Sequence, residues 1–417
     1  MAMTSETPGS SFRLSMLIYD TRYRSVTIQI VFLFLIMAGF AWLVDNTLTN
    51  LAQKGKDIDF GFLGSRAGYD INQMLVDYSN DSSHSRAWIV GLLNTLVLAV
   101  CACVTATVIG VIAGVLRLSN NWIVSKLMNI YVEMFRNVPV LLWIIVIFAV
   151  LTEITPAPNA FRGEEATSSM LLFDSVAVTN RGTYIPAPLF SRSLGDIHLG
   201  IVSISTNYLV LLAIIFGSII GYRALQRNAS SVQEATGERP VTWWKSALIL
   251  VAPFLIALIA MGFHLEYPEL KGFNFRGGGY LRNSFIAMWL ALSVYTGAFI
   301  AENVRAGILA ISRGQSEAAF ALGLRPSRTM NLVILPQALR VIIPPLISQY
   351  LNITKNTSLA IAVGYMDVRA TLGGITLNQT GRELECMMLL MLTYLIISLL
   401  ISSAMNVYNN SVKLKER

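Results

Sequence analysis

The residues with the most informative spacing lie in a polar, charged loop between two long apolar segments. In chain order they are Glu317, Ala318, Ala319, Gly323, Leu335 and Pro336. Alanine is a strong helix former with little bulk, and glycine suits a left-handed helix end. A short helix of this kind presents small side chains, so it can lie closely in a cleft of another protein. These residue types therefore predict a short helix suited to contact with another protein.

The local signals around these residues predict a helix, a turn and a second helix. Ser316 can cap a helix that begins at Glu317, where an acidic residue suits the positive end of the helix dipole. Gly323 can end that helix, and Pro326 can begin the next one. The alternative is an ordinary linker between two apolar segments, which would not need these residue types.

Residues for other kinds of chemistry are scarce. A nucleotide-binding P-loop needs glycines ahead of Lys-Ser or Lys-Thr, and the one such dipeptide, Lys245-Ser246, follows Val-Thr-Trp-Trp. His84, His198 and His264 are scattered without the spacing of metal ligands. No cluster supplies a nucleophile together with a base. We therefore predict no catalytic residue, no metal site and no cofactor on this chain.

Composition places these residues in a membrane protein. Hydrophobic residues make up 54% of the 417 residues and charged residues only 13%, far from the average of soluble domains. Several apolar, weakly charged runs are about long enough to cross a bilayer. They are 25–44, 87–116, 137–152, 199–222, 246–263, 283–301, 341–365 and 387–412. The predicted fold class is an all-α polytopic membrane protein with about eight transmembrane helices.

The positive charges predict the orientation of these spans. When the N-terminus is placed in the cytoplasm, inner segments carry most of the Lys and Arg residues, which is the bias expected of cytoplasmic loops. The first inner group includes Arg13, and the last contains Lys413, Lys415 and Arg417. Both termini and the loop around Glu317 are therefore predicted to face the cytoplasm. We attribute the net charge of +7 to topology and lipid contact, not to nucleic-acid binding.

The loop resembles the EAA pattern of membrane subunits of ABC importers, with Val333 where the pattern prefers isoleucine. Further runs, in the right order, are similar to polar-amino-acid ABC permeases. They are Gly91-Leu92-Leu93-Asn94-Thr95-Leu96, Arg136-Asn137-Val138-Pro139, Ala301-Glu302-Asn303-Val304-Arg305-Ala306-Gly307 and Lys355-Asn356-Thr357-Ser358-Leu359. The resemblance implies a type I ABC importer permease core with additional helices. Its two parts are 87–154 and 283–408, and the EAA coupling loop is 312–340.

Between the two parts of this core lies an insertion, 155–282, with an outer segment and two further spans. Its run Asn180-Arg181-Gly182-Thr183-Tyr184-Ile185-Pro186 resembles the outer segment of one membrane subunit, the Q-type or B-type, of the general L-amino-acid permeases of Gram-negative bacteria. The N-terminal segment, 1–86, with its own span and outer loop, fits the same subfamily. Trp143 stands where the family usually has glutamine, so a substrate contact at that position would fall to a second subunit. A short cytoplasmic tail, 409–417, is predicted to follow.

The resemblance implies a function and a set of partners. The function is that of the transmembrane permease subunit of an ATP-driven importer for L-amino acids in the bacterial inner membrane. The implied partners are a dimer of ABC ATPase subunits, a second related permease subunit and a periplasmic amino-acid-binding protein. ATP and Mg would be bound by the ATPase subunits. Transport would proceed by alternating access.

The densest polar cluster in any predicted span consists of Lys355, Asn356, Thr357 and Ser358. Charged and amide side chains at membrane depth are costly unless they line a cavity or pair internally. An amino acid carries a carboxylate, which Lys355 or backbone N–H groups at a broken helix can bind. The alternative is that the cluster caps a helix break and packs against Glu302 or the second subunit.

Glu302 completes the predicted substrate pathway. It lies three residues before Arg305 near the inner end of its span, so an ion pair within one helix is the simplest prediction. A gate residue is the alternative.

Two other classes of function compete with an ABC permease. A secondary transporter would need coupling-ion chemistry and often contains inverted repeats, and we find no convincing internal repeat. A membrane enzyme would need a catalytic cluster that the chain lacks. The EAA loop favours the importer, because only an importer needs a docking site for an ATPase. The outer segments 45–86 and 155–199 are predicted to be capping loops or small helices, or else a docking site for the binding protein.

Overall fold

The structure is a computed structural model that describes residues 16–53, 55, 57–162, 166–199 and 202–412. Arg13, Lys413, Lys415 and Arg417, which support the predicted orientation, lie outside the described residues. The chain divides into two compact units, Met1–Gly61 and Phe62–Arg417, which we describe separately.

The described part of the first unit is mainly helical. Helix α1 is Met16–Tyr19 and helix α2 is Thr21–Gln53. The predicted span 25–44 lies within α2, which is long and apolar enough to cross a membrane. Thr27 and Thr47 donate their hydroxyls to backbone carbonyls one turn earlier, so that neither hydroxyl is left unpaired in an apolar environment.

The second unit is built around long helices joined by shorter ones. Its α-helices are α3 (His84–Leu116), α4 (Trp122–Asn137), α5 (Val140–Ala149), α6 (Thr206–Thr236), α7 (Trp243–Ala260), α8 (Asn283–Leu309), α9 (Arg313–Ala321), α10 (Pro326–Thr329), α11 (Leu335–Asn356), α12 (Val368–Ala370), α13 (Leu377–Thr380) and α14 (Glu383–Val412). π-Helical turns occupy Val150–Ile154, Met330–Ile334 and Thr371–Thr376. 3₁₀ turns occupy Gly61–Gly64, Pro158–Phe161 and Thr357–Val363.

The predicted fold class is confirmed. Among the described residues, seven helices are long and apolar enough to cross a membrane, or eight if α4 and the segment Val140–Ile154 form one bent span. These two helices meet at an angle of 104°. The bend falls at Pro139, which has no N–H to donate and which excludes the preceding residue from helical geometry.

The predicted start of the fourth span at residue 199 is wrong. The structure places two short antiparallel strands there, and α6 begins only at Thr206. The β-branched residues that extended the apolar run towards its N-terminus, including Val202, alternate with polar ones and pair as a hairpin. The prediction of a membrane span here was therefore correct, but its predicted start lies too early in the chain.

Among the described residues, nine short strands form four antiparallel sheets. They are β1 (Ala177–Thr179), β2 (Gly182–Ile185), β3 (Ala187–Phe190), β4 (Asp196–Leu199), β5 (Val202–Ser205), β6 (Phe263–Glu266), β7 (Glu269–Lys271), β8 (Asn274–Arg276) and β9 (Gly279–Arg282). The sheet orders are β1-β2-β9, β3-β6, β4-β5 and β7-β8. The prediction of loops or small helices for 155–199 is therefore wrong. Ala177, Tyr184 and Phe275 form a small core there, which needs residues from both ends of the insertion.

Helices α3 and α8 form the centre of the unit. A Cβ atom on Gly110 would lie 2.5 Å from the Cβ of Ile300, and one on Gly114 would lie 2.7 Å from the carbonyl oxygen of Ala301. Such contact needs small residues, which are the usual means of close helix packing in membranes. Helix α8 begins directly after β9 and ends just before α9. We therefore call the two ends of the bundle the β side and the α9 side.

Candidate functional site

Helix α9 carries the predicted docking residues and connects two long helices. Only residues 310–312 separate it from α8, and the turn and α10 connect it to α11. Gln337 at the start of α11 donates a hydrogen bond to Gln315 of α9, with 3.2 Å between the two side-chain atoms. A displacement of α9 therefore acts on both α8 and α11.

The ends of α9 agree only partly with the sequence prediction. The helix begins at Arg313 after Ser312, so the prediction that Ser316 caps a helix at Glu317 is wrong. Gly323 has the predicted left-handed conformation, with φ +75°, and the N–H of Leu324 closes the helix by donating to the carbonyl of Ala319. Pro326 occupies the first turn of α10, as predicted.

The alanines of the EAA run face in different directions. Glu317 and Ala318 are exposed, whereas Ala319 is buried, with 4% of its surface accessible. Phe320 on the same helix is 49% exposed, and Leu322, directly after the helix, is 82% exposed. These two side chains are not among the docking residues predicted from the sequence, although apolar residues in a polar loop were the available signal. The exposed surface around α9 therefore includes small and apolar side chains beside polar ones, a composition suited to protein contact.

Leu335 and Pro336 begin α11 after the π-helical turn Met330–Ile334. A proline in the first turn of a helix costs no hydrogen bond, because those N–H groups have no partner within the helix. The region around α9 is also strongly basic. Its charged side chains from 305 to 340 are Arg305, Arg313, Glu317, Arg325, Arg328 and Arg340.

The predicted polar cluster lies at a real break in the span. The α-helix ends at Asn356, and 3₁₀ geometry follows from Thr357. Thr357 is buried and its hydroxyl donates to the carbonyl of Thr354 at 2.7 Å, while Ser358 donates to the carbonyl of Lys355 at 2.7 Å. Both hydroxyls therefore serve the helix break, whereas the ammonium of Lys355 is exposed.

Lys355 belongs to a polar stripe that sequence analysis missed. Ser348 and Asn352 are also exposed and precede it at helical spacing on α11. Within the described part of the chain, the Lys355 ammonium has no carboxylate and no hydrogen-bond partner. An unpaired lysine within a span is costly against lipid tails. This stripe is therefore expected to face a polar cavity or another subunit.

Glu302 lies apart from this cluster. Its carboxylate accepts hydrogen bonds from Arg305 on α8, at 2.8 Å, and from Arg117 at the end of α3. Arg136 at the end of α4 approaches to 3.9 Å. The predicted ion pair with Arg305 is confirmed, but the alternative that the Lys355 cluster packs against Glu302 has no support in these contacts. Among the described residues, no group of His, Cys, Asp and Glu could hold a metal ion.

The chain has close relatives along its whole length. Residues 239–413 match the family described as binding-protein-dependent transport system inner membrane component. The chain is 61% identical over 426 residues to the glutamate/glutamine/aspartate/asparagine transport system permease protein BztB of Rhodobacter capsulatus, with 100% of each chain covered. It is 43% identical over 412 residues to the general L-amino acid transport system permease protein AapQ of Rhizobium johnstonii. This match covers 98% of this chain and 96% of AapQ.

A shorter relative matches only in part. The glutamate/aspartate import permease protein GltJ of Escherichia coli K12 is 35% identical over 130 residues, 31% of this chain and 52% of that one. The full-length matches, together with the helical membrane fold, establish the family. The chain is a multi-span membrane subunit that belongs to the amino-acid ABC transporter permeases.

Proposed function

We propose that this permease imports L-amino acids across a bacterial inner membrane, driven by ATPase subunits that dock on α9 in the cytoplasm. The observation that carries the proposal is the position of α9. It exposes Ala318 and Phe320, is followed by the exposed Leu322, and lies between two spanning helices, α8 and α11. A helix with exposed apolar side chains between two spans can bind another protein and transmit its displacement to the helix bundle.

The energy source would lie on the partner. The sequence contains no nucleotide-binding loop, so ATP and Mg would be bound by a dimer of ABC ATPase subunits, and this chain would not be an enzyme. The arginines around α9, among them Arg313 and Arg325, would favour an acidic rim on the docking cleft. The bias of Lys and Arg residues towards the inner segments would place the α9 side and both termini in the cytoplasm.

The substrate pathway would follow the polar stripe of α11. Lys355 can hold the carboxylate of an amino acid, and Asn352 and Ser348 offer hydrogen bonds further along the same face towards the α9 side. Because this face is exposed on the single chain, a second permease subunit would close the cavity. The names of the relatives support L-amino acids as the substrate class, and the second, related subunit is implied by the Q-type resemblance.

The β side would receive the periplasmic amino-acid-binding protein. The sheets of the insertion are joined to the core at Asn283, whose amide donates to the carbonyls of Thr179 and Asn180. Docking on these sheets would thus act on Asn283, the first residue of α8, while the ATPase acts at the other end of the same helix. Alternating access would then couple the two ends.

The test is uptake by the complex purified from its native membrane and reconstituted in vesicles. Ala318→Trp adds bulk to the exposed face of α9 and is expected to abolish ATP-driven amino-acid uptake while the chain remains inserted. Ala235→Trp, at an exposed alanine near the end of α6, is the matched control and should keep uptake. Normal uptake by Ala318→Trp would contradict docking at α9, and uptake without any ATPase would indicate a secondary transporter.

A further inference from the structure

A charge cluster joins three helices on the α9 side of the core. Glu302 of α8 accepts hydrogen bonds from Arg117, which ends α3, and from Arg305 one turn along its own helix. Arg136, which belongs to the last turn of α4, lies 3.9 Å from the same carboxylate. The Glu302 carboxylate therefore links α8 to α3 and α4, two consecutive helices from a much earlier part of the chain.

Arg117 is the most buried member of the cluster. Its side chain is 7% exposed, compared with 34% for both Arg305 and Arg136. Its Nε also donates to the side-chain oxygen of Asn129 on α4 at 2.8 Å. One guanidinium therefore connects α8 to α4 through two directed hydrogen bonds, which a planar fork of donors can make simultaneously.

The surrounding backbone contacts make these helices one block. Gly114 lies one turn before Arg117 and is in near contact with Ala301, the residue before Glu302. Tyr131 of α4 donates its hydroxyl to the carbonyl of Val294 on α8 at 2.7 Å. Helices in such close contact cannot slide past each other without unpacking.

The block is directly connected to the docking helix. Glu302 precedes the end of α8 at Leu309 by about 10 Å of helix, and α9 follows after 310–312. The spacing of Glu302 and Arg305 alone would suggest an ordinary intrahelical pair of small effect. The contact with Arg117 gives the carboxylate a different role, because it crosses between helices.

We infer that Glu302 is a positioning residue that, through Arg117, transmits the displacement of α9 to helices α3 and α4. This inference rests on the proposed function, since it assigns the route by which ATPase movement reaches the spans. Without the link, α4 would be joined to α8 by its packing and by the Tyr131 hydrogen bond alone, and would follow the displacement of α8 less completely. ATP would still be hydrolysed, but fewer substrate molecules would cross for each ATP.

The experiment measures amino acids transported per ATP hydrolysed by the reconstituted complex. Glu302→Gln and Arg117→Gln remove the charges with little change in volume. We expect each to lower this ratio at least about fivefold, the lower end of usual coupling energies between sites. The double variant should be no worse than either single one, because both remove the same interaction. The matched control is Arg305→Gln, which breaks only the pair within α8 and should change the ratio less than about twofold.

Two further readouts separate positioning from folding. Elution of the complex as one species, and retention of the ATPase, should be unchanged in Glu302→Gln. If Arg117→Gln does not assemble, Asn129→Ala removes the hydrogen bond from Arg117 to α4, leaves the Arg117–Glu302 pair in place, and should still lower the transport ratio without loss of assembly.

The inference would be overturned by normal coupling in Glu302→Gln, or by an equal loss in Arg305→Gln. It would also be overturned if Asn129→Ala assembled and coupled normally. Failure of the proposed function is distinguishable, because the wild-type complex itself would then show no ATP-driven uptake.

Discussion

The pair α3–α8 and the inserted pair α6–α7 are both made of long apolar helices, but they are packed very differently. In the most apolar stretch of α8, 67% of residues are buried, compared with 6% in α6 and 11% in α7. Helix α6 is at least as apolar as α8, so apolarity does not decide which helix is central. The inserted helices pack mainly on each other and on neighbouring strands.

The difference in burial between these helices follows from the size and spacing of their side chains. Along α3, small side chains recur every three or four residues on the buried face, as at Ala102, Ala106 and Gly110. Such a stripe permits backbones to approach, whereas exposed bulky residues on α6, such as Phe216 and Ile220, do not. In a membrane, where lipid is as apolar as leucine, close packing and not hydrophobicity selects the core helices.

The largest effect is expected from filling the contact between α3 and α8. Gly110→Leu would place side-chain atoms where Ile300 already lies, and we expect the chain to lose its folded state. Gly217→Leu in α6 is the matched control, because a Cβ there meets nothing within 4 Å. Gel filtration of the solubilised complex gives the measurement. Equal recovery of folded protein from both variants would show that the close packing of α3 on α8 is not essential for the fold.

A pH-dependent effect is expected in the connector between α11 and α14, which packs on α3. Burial raises the pKa of Asp367 to about 6, although the N–H of Ala370 donates to its carboxylate. The folded state therefore holds a proton that the unfolded state releases near pH 3.8. Stability from this group is present below that pH and is lost as the pH rises through 6, an effect of about 3 kcal/mol.

Asp367→Asn should remove this pH dependence and keep the bond to Ala370, because asparagine also caps helices well. The measurement is the unfolding temperature of wild type and variant in detergent between pH 5 and pH 7.5. Wild type should lose stability relative to the variant as the pH rises. Parallel curves would show that Asp367 does not titrate in this range.

A smaller effect is expected at Asn283, where the strands of the insertion are bonded to the core helix α8. Asn283 donates from its amide to the carbonyls of Leu151, Thr179 and Asn180, at 3.1, 3.2 and 2.9 Å. Asn283→Ala leaves these carbonyls without that donor and should cost about 1–3 kcal/mol. Limited proteolysis should then cut the strands of the insertion first. Protection equal to wild type would show that the insertion is held by its other contacts.

The smallest effect on stability is expected at the tip of the insertion. Phe173 is fully exposed and belongs to three successive residues with positive φ, Leu172 to Asp174, a costly conformation for residues with side chains. If the binding protein docks there, Phe173→Ser should weaken binding about tenfold while thermal stability is unchanged. Phe273→Ser, at another exposed aromatic residue on the β side, is the control. Unchanged affinity in Phe173→Ser would place docking elsewhere.

Local patterns predicted the elements of this protein well. Apolar runs of span length identified the membrane helices, and Gly323 and Pro326 marked the end of one helix and the start of the next. The errors arose where local signals were ambiguous. Ser316 and Ser312 are both possible caps, and the apolar residues of the strands before Thr206 extend the apolar run of α6.

The sequence by itself determined the helical class, the membrane spans and the turn after α9, because each depends on residues close together in the chain. Only the tertiary structure decided that Arg117 meets Glu302, that Phe275 completes a core with Ala177, and that Ala319 is buried while Ala318 is exposed. Those contacts join residues far apart in sequence or select one face of a helix. Periodicity shows which faces are apolar, but it does not show which partner each face meets.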